Sequence, residues 1–142
     1  MRRRTLLMVL VASACLGGCG FVYDQKIDEA YRLVAVDVLE QAMVCRSLTG
    51  GNCSGDGLPG PTVFAAGADD RYLVMARHPA GYPAGYGGID RSVTEYFYVT
   101  RHRGDPPVGV GDVVGPLTRS EFEAEAQRLR LPPFSRRISR VE

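Results

Sequence analysis

The sequence predicts an α+β domain, with a mostly antiparallel sheet of four to five strands and one C-terminal helix packed on a face. Short runs rich in Val, Leu, Tyr and Phe recur between residues 31 and 100, and Gly- or Pro-rich connections separate them, as is typical of strands. After residue 118 the apolar residues recur instead at helical spacing. The composition, 45% hydrophobic and 23% charged, is ordinary for a globular domain.

The first two strand candidates are residues 31–37 and 42–48, which could pair as a hairpin. Residues 42–48 could instead belong to a short helix, because VLEQAMVCRSL contains acceptable helix formers and the run is too short for periodicity to decide. Residues 49–61 contain five glycines and two prolines, so this segment is predicted to be a loop.

Three further strand candidates are residues 62–66, 71–77 and 93–100. Residues 67–70 join the first two as a tight hairpin. Residues 79–90 contain the tandem repeat PAGY-PAGY, and residues 104–116 are also rich in Gly and Pro. Both segments are therefore predicted to be loops.

A helix is predicted to begin after Thr118. Residues 118–121, Thr-Arg-Ser-Glu, form a capping box, in which the threonine hydroxyl and the glutamate carboxylate each accept from a free backbone N–H. Phe122, Ala126 and Leu129 then fall on one helical face, which should lie against the sheet. Two consecutive prolines at 132–133 end the helix.

The N-terminus has the layout of a secretory signal peptide. Three arginines at 2–4 precede an apolar run, residues 5–16, which is too short for a transmembrane helix of about 18 or more residues. Residues 12–14, Ala-Ser-Ala, would offer a cleavage site for an ordinary signal peptidase, and the chain would then be a plain secreted protein.

Residues 16–19, Leu-Gly-Gly-Cys, resemble the lipobox of bacterial lipoproteins. The resemblance implies cleavage before Cys19, a diacylglyceryl thioether on Cys19, and acylation, typically with palmitate, of the new amino terminus. The protein would then be anchored by lipid to the cell membrane or outer membrane and face the periplasm or the cell exterior. In Gram-negative lipoproteins an aspartate after the cysteine tends to mark inner-membrane retention, so Gly20 favours the outer membrane.

The body of the chain resembles a family of small bacterial lipoproteins of unknown function. The resemblance covers roughly residues 31–131 and supplies no catalytic residues. It rests on a Tyr-x-Leu-Val strand at 31–34, a hairpin ending in Arg-Tyr-Leu-Val at 71–74, a Tyr-x-Tyr-Val strand at 96–99, and the sequence Gly-Pro-Leu-Thr-x-x-Glu-Phe at 115–122.

We therefore divide the chain into four segments: a lipoprotein signal peptide (1–18), the lipidated cysteine and a tether (19–30), a single α+β domain (31–131) and a basic C-terminal tail (132–142). Three of the 17 basic residues lie in the signal, so 14 basic and 16 acidic residues remain. This charge does not indicate a nucleic-acid partner. The expected partners are the membrane, through the lipid on Cys19, and an envelope protein or polysaccharide.

Two cysteines, Cys45 and Cys53, remain after the signal is removed and Cys19 is acylated. They lie eight positions apart in a chain exported to an oxidising compartment, so we expect a disulfide. The alternative is a pair of free buried thiols.

Tyrosine is the residue type that favours a binding surface. Tyr82 and Tyr86 lie in the PAGY repeat, and Tyr96 and Tyr98 share one face of the neighbouring strand. Exposed tyrosines provide contact area for proteins or sugar rings. Alternatively, Tyr96 and Tyr98 pack beneath the helix.

These observations favour a non-enzymatic envelope lipoprotein, a binding or structural module with no cofactor or metal. One alternative is a cell-envelope hydrolase that uses His78 or His102 with a nearby aspartate. The two histidines end successive strand candidates and could be neighbours if those strands pair antiparallel. The two histidines could also share a metal with Asp90 or Asp105, but no ligand spacing supports such a site. A second alternative is an inhibitor of a wall-degrading enzyme, with residues 79–92 as its protruding loop.

Overall fold

The computed structural model describes residues 20–81 and 88–142 and confirms the α+β class. The described residues form two antiparallel sheets, of four and five strands, and one α-helix near the C-terminus. The single sheet expected from the sequence is thus divided in two, because the chain turns away after β4 and the next hairpin starts a separate sheet.

Sheet A contains the first four strands in sequence order, each antiparallel to its neighbour. Residues 31–37 and 42–48 pair as the predicted hairpin, so the helical alternative for 42–48 is wrong. The strands are β1 (Tyr23–Lys26), β2 (Tyr31–Ala35), β3 (Met43–Ser47) and β4 (Cys53–Ser54).

Sheet B has the spatial order β8-β7-β6-β5-β9 and is antiparallel throughout. Its centre is the predicted β5–β6 hairpin, closed by a turn in which Asp69 accepts hydrogen bonds from the backbone N–H groups of Arg71 and Tyr72. Its strands are β5 (Val63–Ala68), β6 (Tyr72–Arg77), β7 (Glu95–Thr100), β8 (Val113–Leu117) and β9 (Arg136–Arg137).

The helix α1 (Arg119–Leu129) packs on one face of sheet B. The predicted capping box is present, since Thr118 Oγ1 accepts from the N–H of Glu121 and the Glu121 carboxylate accepts from the N–H of Thr118. Phe122 is the buried residue of this helix and stacks on Tyr96 of β7. The face predicted from sequence is therefore the face that docks.

The two sheets share one hydrophobic core. Leu33 and Val44 of sheet A and Leu73 and Met75 of sheet B are fully buried members of the same cluster. Because alternate residues of a strand point to opposite faces, Leu73 and Met75 lie on the face of sheet B away from Tyr72 and Val74. Sheet B is thus covered on both faces.

Four strands lie in segments for which the sequence predicts no strand. β1 falls in the expected tether, β8 in the expected 104–116 loop, and β9 in the expected basic tail. The short β4 also falls inside the 49–61 loop. Ile138 and Val141 are buried, so the last residues belong to the domain instead of extending from it as a tail.

The segment after α1 crosses sheet B closely at Gly67. A Cβ atom at Gly67 would lie 2.0 Å from the carbonyl oxygen of Pro133. This close approach lets the chain bind the edge of β5, where the N–H of Ser135 donates to Ala66 and the N–H of Ile138 donates to Phe64. β9 is therefore positioned at the hollow beside α1, which Arg137 lines.

Candidate functional site

A hollow of about 500 Å³ opens beside α1, between the helix, the end of sheet B and the C-terminal segment. We call it the α1 hollow. Its volume is within the range of small-ligand sites in proteins. It is lined by Phe64, Ala76, His78, Arg91, Thr94, Tyr96, Arg119, Phe122, Glu123, Phe134, Arg137 and Glu142.

Aromatic rings form the inner wall of the α1 hollow. The ring centre of Phe122 lies 5.1 Å from that of Tyr96 and 5.6 Å from that of Phe134, in both cases with the rings stacked. Phe64 stacks on the ring of His78 at 4.6 Å. Phe134 is the least buried of these rings. The wall provides flat apolar surface for a ring or chain of a partner.

Charged side chains form the rim, with three arginines and two glutamates. Arg137 pairs with Glu142 at 2.6 Å, and its guanidinium lies over the ring of Phe134. The guanidinium of Arg91 donates to the carbonyl of Arg140. The rim as a whole has one positive charge in excess of its negative charges.

Two rim arginines, Arg91 and Arg119, form no ion pair within residues 20–81 and 88–142. Arg91 donates to the Arg140 carbonyl, whereas the guanidinium of Arg119 forms no hydrogen bond within the same residues. Arg119 is exposed at the first helical position, and its guanidinium carbon lies 6.0 Å from the ring centre of Tyr96. A guanidinium held over an aromatic face keeps its hydrogen-bond donors directed outward for a carboxylate or phosphate.

His78 forms part of the wall and is almost fully buried. Its Nδ1 lies 2.8 Å from the carbonyl oxygen of Val93, which can only accept, so Nδ1 carries the proton. Nε2 is buried and has no hydrogen-bond partner among the described residues. A general base must reach the proton that it removes. Because Nε2 is enclosed by the protein, this structure gives His78 a packing role.

The two histidines lie at opposite ends of the β6–β7 pair. The register aligns Arg77 with Glu95 and Tyr72 with Thr100. His78 follows Arg77 and His102 follows Thr100, so antiparallel pairing separates them, and the expectation that they could be neighbours is wrong. No group of three or more His, Cys, Asp or Glu residues within the described part of the chain could hold a metal ion.

Asp90 and Asp105, the two aspartates considered as metal ligands beside the histidines, have other partners. Asp90 accepts from the hydroxyl of Ser92, and Asp105 binds the guanidinium of Arg101. His102 is exposed and contacts Asp112 at 2.7 Å, and this contact lowers the pKa of Asp112. Asp112 also accepts from the backbone N–H of Gly109, so the His102–Asp112 contact stabilises the turn before β8. The hydrolase alternative gains no support from this arrangement.

Tyr96 and Tyr98 do not form an exposed binding surface. They are 8% and 7% exposed, and both lie beneath α1, as in the alternative considered from sequence. Tyr98 donates to Glu125 at 2.9 Å, and its pKa is raised, first by burial and then by that hydrogen bond. Tyr82, Tyr86 and the lipidation candidate Cys19 lie outside the described residues.

Cys45 and Cys53 form the expected disulfide, with their Cα atoms 5.5 Å apart. The bond joins β3 to β4, so the glycine-rich segment 49–61 folds back over the outer face of sheet A. Met43 lies beneath this segment, against Gly55 and Gly60. The role of the disulfide is therefore structural.

Most residues of the α1 hollow carried no signal in the sequence. Arg91, Arg119 and Phe134 lie in segments for which the sequence predicts the end of a loop, the start of a helix and a tail. One usable signal was Phe134, an aromatic residue placed just after the two prolines that end the helix. An aromatic residue at that point favours a chain that returns to the core.

The chain matches no protein-family model, no curated protein and no solved structure. The family resemblance noted from the sequence therefore stays a prediction. Among the described residues, none of the helices has the length and apolar character needed to span a membrane.

Proposed function

We propose that this chain is a lipid-anchored protein of the bacterial envelope that acts as a non-enzymatic binding module, with the α1 hollow as its binding site. The partner is an envelope protein or polysaccharide that presents an acidic group beside a ring or an apolar surface. The acidic group would bind Arg119, and the ring would lie against Phe134 and the wall behind it.

The anchor is supported by the order of residues at the N-terminus. Arginines, a short apolar run and Leu-Gly-Gly-Cys succeed one another within the first 19 residues. β1 begins at Tyr23, so the folded domain starts close to Cys19. Two or more acyl chains on that cysteine would hold such a domain stably on a membrane.

The single observation that supports the binding role is the position of Arg119, exposed on the rim of the α1 hollow with no ion pair among the described residues. Arg119 lies at the mouth of the hollow with its guanidinium over an aromatic ring, and it has no carboxylate partner in the described chain, so an acidic group of a partner can bind it without breaking an existing ion pair. Arginine in this setting is suited to planar acidic groups, and binding could proceed without rearrangement of the rim.

The anchor is tested by Cys19→Ser in the organism that makes the protein, with labelled palmitate. The wild type should incorporate label and fractionate with membranes, whereas the variant should lose the label and appear in the soluble fraction. A variant that stays with membranes, beside a wild type that takes no label, would rule out lipidation at Cys19.

The binding site is tested with a photo-crosslinking residue in place of Glu123, on the rim of the α1 hollow. The matched control carries the same residue in place of Gln127, which is also exposed on α1 but does not line the hollow. Illumination of intact cells should give an adduct from position 123 and none from position 127. Arg119→Ala should remove the adduct, whereas Arg103→Ala should not.

Equal adducts from both positions, or an adduct that Arg119→Ala leaves unchanged, would show that the partner does not use the α1 hollow. Digestion of the adduct with a protease or with wall-degrading enzymes then distinguishes a protein partner from a polysaccharide.

A further inference from the structure

Four large apolar side chains are exposed together where the described chain begins. Phe21 is 43% exposed, Val22 55%, Val36 42% and Val38 47%. The N–H of Val22 donates to the carbonyl of Ala35 at 2.8 Å, which places the start of β1 beside the end of β2. We call these four residues the N-terminal apolar patch.

Two shallow hollows border the N-terminal apolar patch. One, of about 440 Å³, is lined by Phe21 and Val36 together with Met43 and the Cys45–Cys53 disulfide. The other, of about 420 Å³, is lined by Val22 and Val38. Exposed apolar side chains therefore border both hollows beside the chain start, and clustered exposed apolar surface of this kind usually marks a contact site.

The position of the patch in the chain indicates what covers it. Only Gly20 separates Cys19 from Phe21. Two residues span at most about 7 Å, so acyl chains on Cys19 would enter a bilayer directly beside the patch. No tether of useful length exists, because the segment predicted to be one forms β1.

We propose that the N-terminal apolar patch is the membrane-contact face of this protein, and that its side chains enter the interfacial region of the bilayer that holds the lipid on Cys19. This inference rests on the lipid anchor of the proposed function. Apolar side chains at the headgroup boundary add binding to that of an acyl anchor and fix how the domain is oriented.

The charges beside the patch determine what kind of contact this is. Asp37 and Glu40 are exposed at its edge, and Arg140 is the neighbouring cation. Two carboxylates and one guanidinium give no attraction to anionic lipid. The contact is therefore apolar, and it should be insensitive to salt and to the content of anionic lipid.

The test uses the full lipidated protein in vesicles of phosphatidylcholine, and in vesicles of phosphatidylethanolamine mixed with phosphatidylglycerol. An environment-sensitive dye is attached through Val38→Cys, or through Gln127→Cys on α1 as the matched control. Lipids with brominated acyl chains should quench the dye at position 38 several-fold more than the dye at position 127. Quenching should be equal in the two vesicle types and at low and high salt.

A second variant separates the patch from the anchor. Phe21→Ser with Val22→Ser should still incorporate labelled palmitate and float with vesicles, but quenching at position 38 should fall to the level of position 127. Equal quenching at both positions in a protein that carries lipid would show that the N-terminal apolar patch does not contact the membrane, while leaving the lipid anchor intact. Quenching that needs phosphatidylglycerol or disappears in high salt would also overturn the apolar contact. Absence of lipid from the wild type would overturn the anchor itself.

Discussion

Arg101, at the end of sheet B, binds Asp28, in the turn between β1 and β2 of sheet A, with 2.5 Å between guanidinium nitrogen and carboxylate oxygen. The same guanidinium binds Asp105 and the carbonyl of Asp69, and it lies 5.1 Å from the ring centre of Tyr31. Burial alone would lower the pKa of Arg101, but the hydrogen bonds to Asp105 and Asp28 outweigh it and raise the pKa. One side chain thus joins the two sheets.

Replacing Arg101 should destabilise the domain strongly. The side chain is 9% exposed, and its removal leaves Asp105 without its guanidinium partner and Asp28 with only its hydrogen bonds from two backbone N–H groups. We expect Arg101→Ala to lower the free energy of unfolding by about 3 kcal/mol, as for other broken buried pairs. Urea unfolding of the domain without its lipid measures this. Arg103→Ala, at an exposed neighbouring position, should change it by no more than about 0.5 kcal/mol.

The docking of α1 is tested at its cap and at its buried face. Thr118→Ala removes the hydroxyl that accepts from Glu121 N–H, and should cost about 1 kcal/mol. Phe122→Ala leaves a cavity between Tyr96 and Phe134, and should cost about 3–5 kcal/mol. Thermal melting of both variants measures these losses of stability. Negligible losses in both would mean that the helix does not dock in solution.

The features that could be predicted from the sequence are those that depend on local chemistry. The capping box, the apolar stripe and the two prolines together define α1, because each acts on residues within a turn or two. The β5–β6 hairpin was predictable for the same reason, since an aspartate turn lies between two apolar runs. The Cys45–Cys53 bond followed from short spacing.

The features that the sequence did not predict depend on distant partners. β1 has the sequence YDQK, which is too polar and too short to indicate a strand until β2 is available to pair with it. β8 contains Pro116, which indicates a break in a central strand but is tolerated at the edge position that β8 occupies. The lining of the α1 hollow spans residues 64–142, so no local pattern encodes it.

Gly67 should be required for the crossing of the post-helix segment over sheet B. In Gly67→Ala the new Cβ would lie 2.0 Å from the Pro133 carbonyl oxygen, so backbone must move and the β5–β9 pairing should weaken. We expect a loss of about 1–3 kcal/mol, typical of overpacking. Gly111→Ala is the matched control, because a Cβ there meets nothing within 4 Å. Equal stability of the two variants would contradict the close approach.

The Cys45–Cys53 bond should stabilise the domain through the short loop that it closes. For a sequence separation of eight residues, the chain-entropy model gives roughly 2.5 kcal/mol. We expect the reduced and alkylated domain to unfold at a correspondingly lower urea concentration than the oxidised one. Peptide mapping without reductant provides the direct check: recovery of both cysteines as free thiols would show that the bond does not form.

The stability of the domain should depend on pH through Glu125 of α1, whose carboxylate accepts from Arg128 and from Tyr98. The hydrogen bond from Arg128, and next that from Tyr98, hold the pKa of Glu125 below its usual value of 4.5. A carboxyl whose pKa is lower in the folded state stabilises that state above the unfolded pKa. This contribution is lost as the pH falls through the folded value.

Glu125→Gln should therefore be less stable than the wild type at neutral pH. The difference should shrink as the pH falls below 4.5, because the glutamate becomes protonated first in the unfolded state and then, at lower pH, in the folded state. Tyr98 affects the stability at alkaline pH. Its pKa lies above 10.0, so its contribution is complete below that pH and is lost as the pH rises further. Tyr98→Phe should reduce the alkaline loss of stability. Urea unfolding across the pH range measures both effects. If the difference in unfolding free energy between Glu125→Gln and the wild type stays constant below pH 4.5, the loss of stability in acid does not come from this carboxyl.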